Sequence, residues 1–153
     1  MSDKYRYESR EVPGGPEVIV ASRSAAESYT PSPEAVAISV RSPRSHAAAL
    51  PDGFGNVLRL SFDDVEEPRP NCEVLSDGDA ERIARFLVFN RNAKKLLIHC
   101  EAGVSRSAGI KLGIMDALNW TTESDEAAEP GHNKLVRQKV RAAVAKHAKT
   151  IRP

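Results

Sequence analysis

The sequence predicts an α/β fold, a mainly parallel central sheet flanked by helices. Three observations point there. Four short apolar runs, at 17–21, 35–40, 56–62 and 95–99, alternate with segments of helical periodicity, the order that builds parallel layers. The run Lys95-Leu96-Leu97-Ile98-His99 shows no polar alternation, as expected of a strand buried on both faces. And 153 residues without an internal repeat are enough for one sizeable core.

Residues 1–16 are polar, end in Pro13-Gly14-Gly15-Pro16 and read as a loosely packed arm before a single domain at 17–153. Glu17–Ala21 is β-branched and strand-like. Ser22 or Ser24 can cap a short helix running to Tyr29. Ala35–Val40 is a second strand, stopped by Ser42-Pro43, and Asn56–Phe62 a third, alternating at Leu58, Leu60 and Phe62. An acidic, proline-bearing loop follows from Asp63 to Pro70.

Ser76 with Asp79 three residues on resembles a helix-starting cap, and Ile83, Phe86, Leu87 and Asn90 share a face, so 77–91 is expected as a helix. After the strand at 95–99 comes a loop, then a helix from Ser107 to Asn119 with Ile110, Ile114, Ala117 and Leu118 on one side. Residues 120–132 read as a polar loop. A last amphipathic helix carries Val136, Val140, Ala143, Val144 and His147 at spacings of three and four. Its Lys134, Arg137, Lys139, Arg141, Lys146 and Lys149 are expected to face solvent.

Composition narrows the function. Lysine plus arginine (22) nearly balances aspartate plus glutamate (21), which argues against a dedicated nucleic-acid partner. No apolar run approaches the roughly 20 residues needed to span a bilayer, and Met1–Tyr7 has no signal-like apolar stretch. A cytoplasmic location and no membrane partner are therefore expected. Two cysteines, Cys72 and Cys100, suit free thiols, and scattered histidines without a CxxC pair give no metal constellation. No cofactor is expected, and the pattern fixes no oligomeric state.

In such sheets ligands bind beyond the carboxyl ends of the strands, which directs attention to the loop after His99. It reads His99-Cys100-Glu101-Ala102-Gly103-Val104-Ser105-Arg106-Ser107. Strand, loop and helix in this order bring consecutive backbone N–H groups to bear on an anion at a helix N-terminus. A cysteine among unpaired N–H donors and beside Arg106 is favoured as thiolate. Arg106 can grip two phosphate oxygens with its planar fork. Gly103 permits a turn that a Cβ would obstruct. Ser107 is placed to hydrogen-bond the thiolate, and His99 to orient the loop. Cys72 reads as a spectator thiol, with a protective disulfide to Cys100 as the alternative.

His99-Cys100 with Arg106-Ser107 resembles the phosphate-binding loop of the cysteine-dependent protein tyrosine phosphatases, in particular the compact dual-specificity branch. The similarity extends more loosely over residues 35–145. The resemblance implies two-step hydrolysis of a phosphorylated protein or peptide without metal: Cys100 as nucleophile, Arg106 as clamp, the amides of Glu101, Ala102, Gly103, Val104, Ser105 and Arg106 as phosphate cradle, and Ser107 assisting thiolate release. It also implies an acid from an upstream loop. Asp64 fits the pattern of aromatic, any residue, acid, and Asp63 is the alternative. His132 and Asn133 resemble a family position, although a helix N-cap accounts for Asn133.

The chain departs from the larger relatives in having neither a Trp-Pro-Asp acid loop nor a phosphotyrosine-recognition loop. Glu101 and the absence of lysine or arginine between Cys100 and Arg106 argue against phosphoinositide substrates. The implied substrate is phosphotyrosine, or phosphoserine and phosphothreonine as well in the dual-specificity case. Pocket depth, set by residues 41–55, 63–75 and 120–132, decides between them. A catalytically silent phosphate-binding module is the competing reading. Arsenate reduction or sulfur transfer ranks behind it, because relatives of that kind carry the loop near the N-terminus.

Overall fold

The computed structural model describes residues 5–152. Five strands form one sheet in the order β1-β2-β5-β3-β4: β1 Tyr7–Glu11, β2 Glu17–Ala21, β3 Ala35–Arg41, β4 Asn56–Ser61 and β5 Lys95–His99. β5 pairs in parallel with β2 on one side and β3 on the other. β4 is parallel to β3, and only β1 runs antiparallel, against β2. Helices α1 Arg23–Glu27, α2 Asp77–Phe89, α3 Arg106–Ala117, α4 Glu123–Ala128, α5 Lys134–Ala145 and α6 Ala148–Ile151 complete the fold.

The central strands bury both faces, which explains their unbroken apolar runs. Leu96, Ile98, Val36, Ile38 and Val40 join the larger core with α2, α3 and α5. Leu97, Ile19, Ala21 and Ala37 point the other way, into a smaller core with Ala25 and Ala26 of α1. α3 is buried almost all round, because it is sandwiched between the sheet and α5. Gly109 and Gly113 make that contact close: a Cβ on either would stand 2.6 or 2.7 Å from the carbonyl oxygens of Asn133 and Arg137. The start of α5 is thereby drawn against the start of α3. No helix among the described residues is long and apolar enough to cross a membrane.

The α/β class and the four expected strands agree with the structure, and the differences are local. Where a loose arm was expected at 1–16, Tyr7–Glu11 forms β1, a polar edge strand that contributes backbone pairing rather than buried side chains. The segment 120–132, expected as loop, contains α4, started by a capping box between Thr122 and Asp125. α2 ends at Phe89 with Asn90 as its cap, and α3 begins one residue early, at Arg106. The last helix breaks after Ala145, and His147 opens α6 while bonding Glu81 at 2.8 Å. The expected basic face of α5 is partly consumed, since Arg137 pairs with Asp116 and Glu126 and Lys139 donates to the Leu75 carbonyl.

Candidate functional site

The site is assembled at the carboxyl end of β5. Parallel register sets Ser39 of β3 beside His99, and the Ser39 hydroxyl lies 2.6 Å from His99 Nε2. His99 Nδ1 is 3.0 Å from the Cys100 carbonyl oxygen. A carbonyl can only accept, so Nδ1 carries the ring proton and Nε2 accepts from Ser39. Burial pushes His99 below the ordinary histidine range, with the nearby Arg23 and Arg59 adding to the effect. His99 is thus a neutral strut that fixes the backbone from which Cys100 emerges.

Cys100 is buried, and its Sγ lies 3.1 Å from Ser107 Oγ. Both cysteines are free thiols, Cys72 being half-buried in the loop after β4. Between Cys100 and α3 the chain turns through Gly103 at φ +79°. A Cβ there would come within 2.7 Å of the backbone of Ala21 and Ser22, so the position requires glycine on two counts. Glu101 is turned outward. Its carbonyl accepts from the Arg23 amide at 2.9 Å, and its carboxylate pairs with the Arg23 side chain at 3.4 Å.

Ser105 precedes α3 without capping it, because its hydroxyl donates to Asp64 instead. No backbone N–H from Glu101 to Ala108 donates to another described residue. A run of unpartnered donors at the positive end of a buried helix has the polarity that suits an anion.

Arg106 is 5% exposed. Its Nη1 donates to Ser42 Oγ at 3.0 Å and to the Phe62 carbonyl at 2.9 Å. Its buried Nε has no partner, and among the described residues it forms no ion pair.

The two adjacent carboxylates that sequence left as alternatives have different environments. Asp63 is buried, and both of its oxygens are taken: Oδ1 by Arg44 at 2.7 Å and Oδ2 by the Glu73 amide at 2.7 Å. The Glu73 amide first, then Arg44 and the field of Arg106, hold it below the ordinary carboxylate range. An acid so held keeps its charge and makes a poor proton donor. Asp64 is exposed. Its Oδ1 accepts from Ser105 at 2.7 Å and from Asn133 Nδ2 at 2.9 Å, while Oδ2 takes no bond from a described residue. Asn133 does two jobs, because its Oδ1 also caps α5 at the Val136 amide, 3.0 Å away.

The structure therefore gathers Cys100, Gly103, Ser105, Arg106, Ser107 and Asp64 around one loop, with His99 behind and Asp63 set aside. Sequence reasoning missed Ser42, which steers Arg106, and Arg44, which occupies Asp63. Neither carries a local signal. Elsewhere, a cavity of about 350 Å³ opens at the amino ends of the strands, lined by Val36, Leu96, Ile114, Leu118 and Trp120. It is lined by no cysteine, aspartate or glutamate and lies at the opposite end of the sheet from Cys100.

No protein-family model matches the sequence, and no curated protein matches it. Solved structures do. A human tyrosine phosphatase-like serine/threonine/tyrosine-interacting protein superposes with a TM-score of 0.57 at 17% identity, over 93% of this chain and 99% of that one. A mouse candidate dual specificity phosphatase, solved with zinc tungstate, gives 0.59 at 15% identity, over 99% of this chain and 93% of that one. The fold is dual-specificity-phosphatase-like. Identities this low carry the architecture and not the activity. Within a dual-specificity-phosphatase-like fold, the chemistry rests on the residues described above.

Proposed function

We propose that the chain is a cysteine-dependent phosphatase acting on phosphotyrosine in proteins or peptides, with phosphoserine and phosphothreonine as the wider range. The observation that carries this reading is Arg106, a buried guanidinium with an unpartnered Nε and no ion pair among the described residues, at the end of a loop of unpartnered amides. A buried cation and convergent N–H groups call for a dianion that arrives from outside.

In the proposed reaction the Cys100 thiolate attacks phosphorus. The ester P–O bond breaks as Asp64 gives its proton to the leaving oxygen. The equatorial oxygens are held by Arg106 and by the amides of residues 101–106. Water then attacks the phosphocysteine and yields a proton to Asp64. The S–P bond breaks, and the Ser107 hydroxyl donates to the departing sulfur across the 3.1 Å contact. Asp64 suits the acid role because the residue is exposed and its Oδ2 takes no bond from a described residue, while Ser105 and Asn133 fix the carboxylate through Oδ1.

Burst kinetics with p-nitrophenyl phosphate test the proposal. The wild type should release a stoichiometric burst of nitrophenol. Cys100→Ser should release none, and Arg106→Lys should lose most activity because a point charge cannot replace a fork. Equal, negligible turnover in wild type and Cys100→Ser would end the enzyme reading. Phosphopeptide binding without hydrolysis would make the chain a phosphate-binding interaction module instead.

A further inference from the structure

Arg6 lies just before β1, outside every segment to which a function has been given, yet its side chain reaches the loop after Cys100. Its Nη1 donates to the Gly103 carbonyl. Its Nη2 pairs with Glu129 Oε1 at 2.8 Å, and Glu129 Oε2 pairs in turn with Lys111 of α3 at 2.9 Å. Glu129 and Lys111 are 1% and 4% exposed. The Arg6 backbone is anchored as well: its N–H donates to Ser22 Oγ at 3.0 Å, and the Ser22 amide donates to its carbonyl at 2.8 Å. This is a built support, with both ends of the guanidinium and the backbone behind it fixed.

Its consequence follows from peptide geometry. In a trans peptide unit the carbonyl and the following N–H point in opposite directions. Gly103, at φ +79°, has no Cβ to resist a turn of the peptide plane. If the plane rotated, the Gly103 oxygen would swing toward the anion and the Val104 donor away from it. Glu8 Oε1 also lies 3.9 Å from Arg6 Nη2, so the two cations behind the loop are balanced by two carboxylates and act by position, not by net charge. We infer that Arg6 is a positioning residue that, backed by Glu129 and Lys111, draws the Gly103 carbonyl backward and so aims the Val104 N–H into the phosphate cradle. The inference rests on the cradle reading proposed above.

The test compares wild type, Arg6→Ala and Arg6→Lys by kcat and KM on p-nitrophenyl phosphate, by melting temperature, and by the NMR shift of the Val104 amide during titration with inorganic phosphate. Losing one oxyanion donor costs about 10²-fold in kcat at the lower end of measured cases. Arg6→Ala should show that loss in kcat more than in KM, with the Val104 amide no longer responding to phosphate. Arg6→Lys keeps a charge for Glu129 but cannot also reach Gly103 as a fork does. It should melt near the wild type and still lose kcat and the Val104 response, and it carries the test if Arg6→Ala does not fold.

Folded variants with wild-type kcat, or with a wild-type Val104 response, would overturn the inference and leave the phosphatase reading intact. Wild-type protein that binds phosphate at Val104 without hydrolysing an ester would defeat the phosphatase reading while the Arg6 comparison still decides the inference. Wild-type protein that fails to bind phosphate would overturn both.

Discussion

Replacing Ser107 by alanine isolates one contact of the proposed mechanism. The hydroxyl is fully buried and lies 3.1 Å from Cys100 Sγ, so its bond to a departing thiolate would be made away from water. Hydrogen bonds to charged groups are worth about 1.5–3 kcal/mol, which at 1.36 kcal/mol per tenfold corresponds to about 10- to 160-fold in rate. The loss belongs in the second step, where sulfur leaves, and not in the first, where an unstabilised thiolate attacks at least as well. Stopped-flow release of nitrophenol should therefore show a full burst followed by a steady state slowed by that factor. Acid-quenched protein should carry the trapped phosphocysteine. Folding should survive, because alanine is the better helix former at this second residue of α3. A Ser107→Ala protein with native melting and a steady-state rate within twofold of wild type would refute the reasoning.

Asp64→Asn should slow hydrolysis of alkyl phosphates by about 10²–10⁴-fold and of activated aryl phosphates far less, since only the former need a proton on the leaving oxygen; equal losses across leaving groups would move the acid elsewhere. His99 is held neutral by burial, so the unfolded chain binds its proton more readily than the native one. The stability this contributes is present above the ordinary histidine value of about 6.5 and is lost as pH falls below it toward the lowered native value. Urea midpoints from pH 8 to 5 should decline in the wild type and decline less in His99→Asn, and parallel profiles would contradict this. Arg106→Met should melt no lower than wild type in anion-free buffer, because a buried charge without a counter-ion contributes little to stability. Tungstate should raise the melting temperature of the wild type alone. A large destabilisation of Arg106→Met without anion would show that the guanidinium serves the fold.

Much of the fold was legible because its signals are local. The unbroken run at 95–99 and the alternation at Leu58 and Leu60 report which faces are buried, and Ser76 with Asp79 marks the start of α2. β1 escaped because an edge strand holding Ser9, Arg10 and Glu11 has no buried face to declare, only backbone partners supplied by β2. The capping pair Thr122 and Asp125 was available in the sequence, but the acidic stretch around it reads as loop. Within the candidate site, the loop from His99 to Ser107 announces itself through order and spacing. Its supports do not: Ser42 lies 64 positions from Arg106, Asn133 69 from Asp64, and Arg6 97 from Gly103. Contacts at such separations are fixed by strand order and by the glycine-mediated approach of α5 to α3, which no window along the chain reveals.

The same long-range contacts explain why two neighbouring aspartates should have separate fates. Asp63 is buried, close enough for the Arg106 field to act on its charge. A direct bidentate pair between them would satisfy the guanidinium and compete with any phosphate. The two Asp63 oxygens are instead bonded by Arg44 and the Glu73 amide. Arg106 is oriented instead by Ser42 and the Phe62 carbonyl, acceptors that direct it without neutralising it. On the proposed reading, its buried positive charge is kept for an anion that is not part of the chain. A fold selected for stability alone gains nothing by leaving a buried guanidinium without a carboxylate partner, and that arrangement supports the proposal that this loop holds a phosphate group.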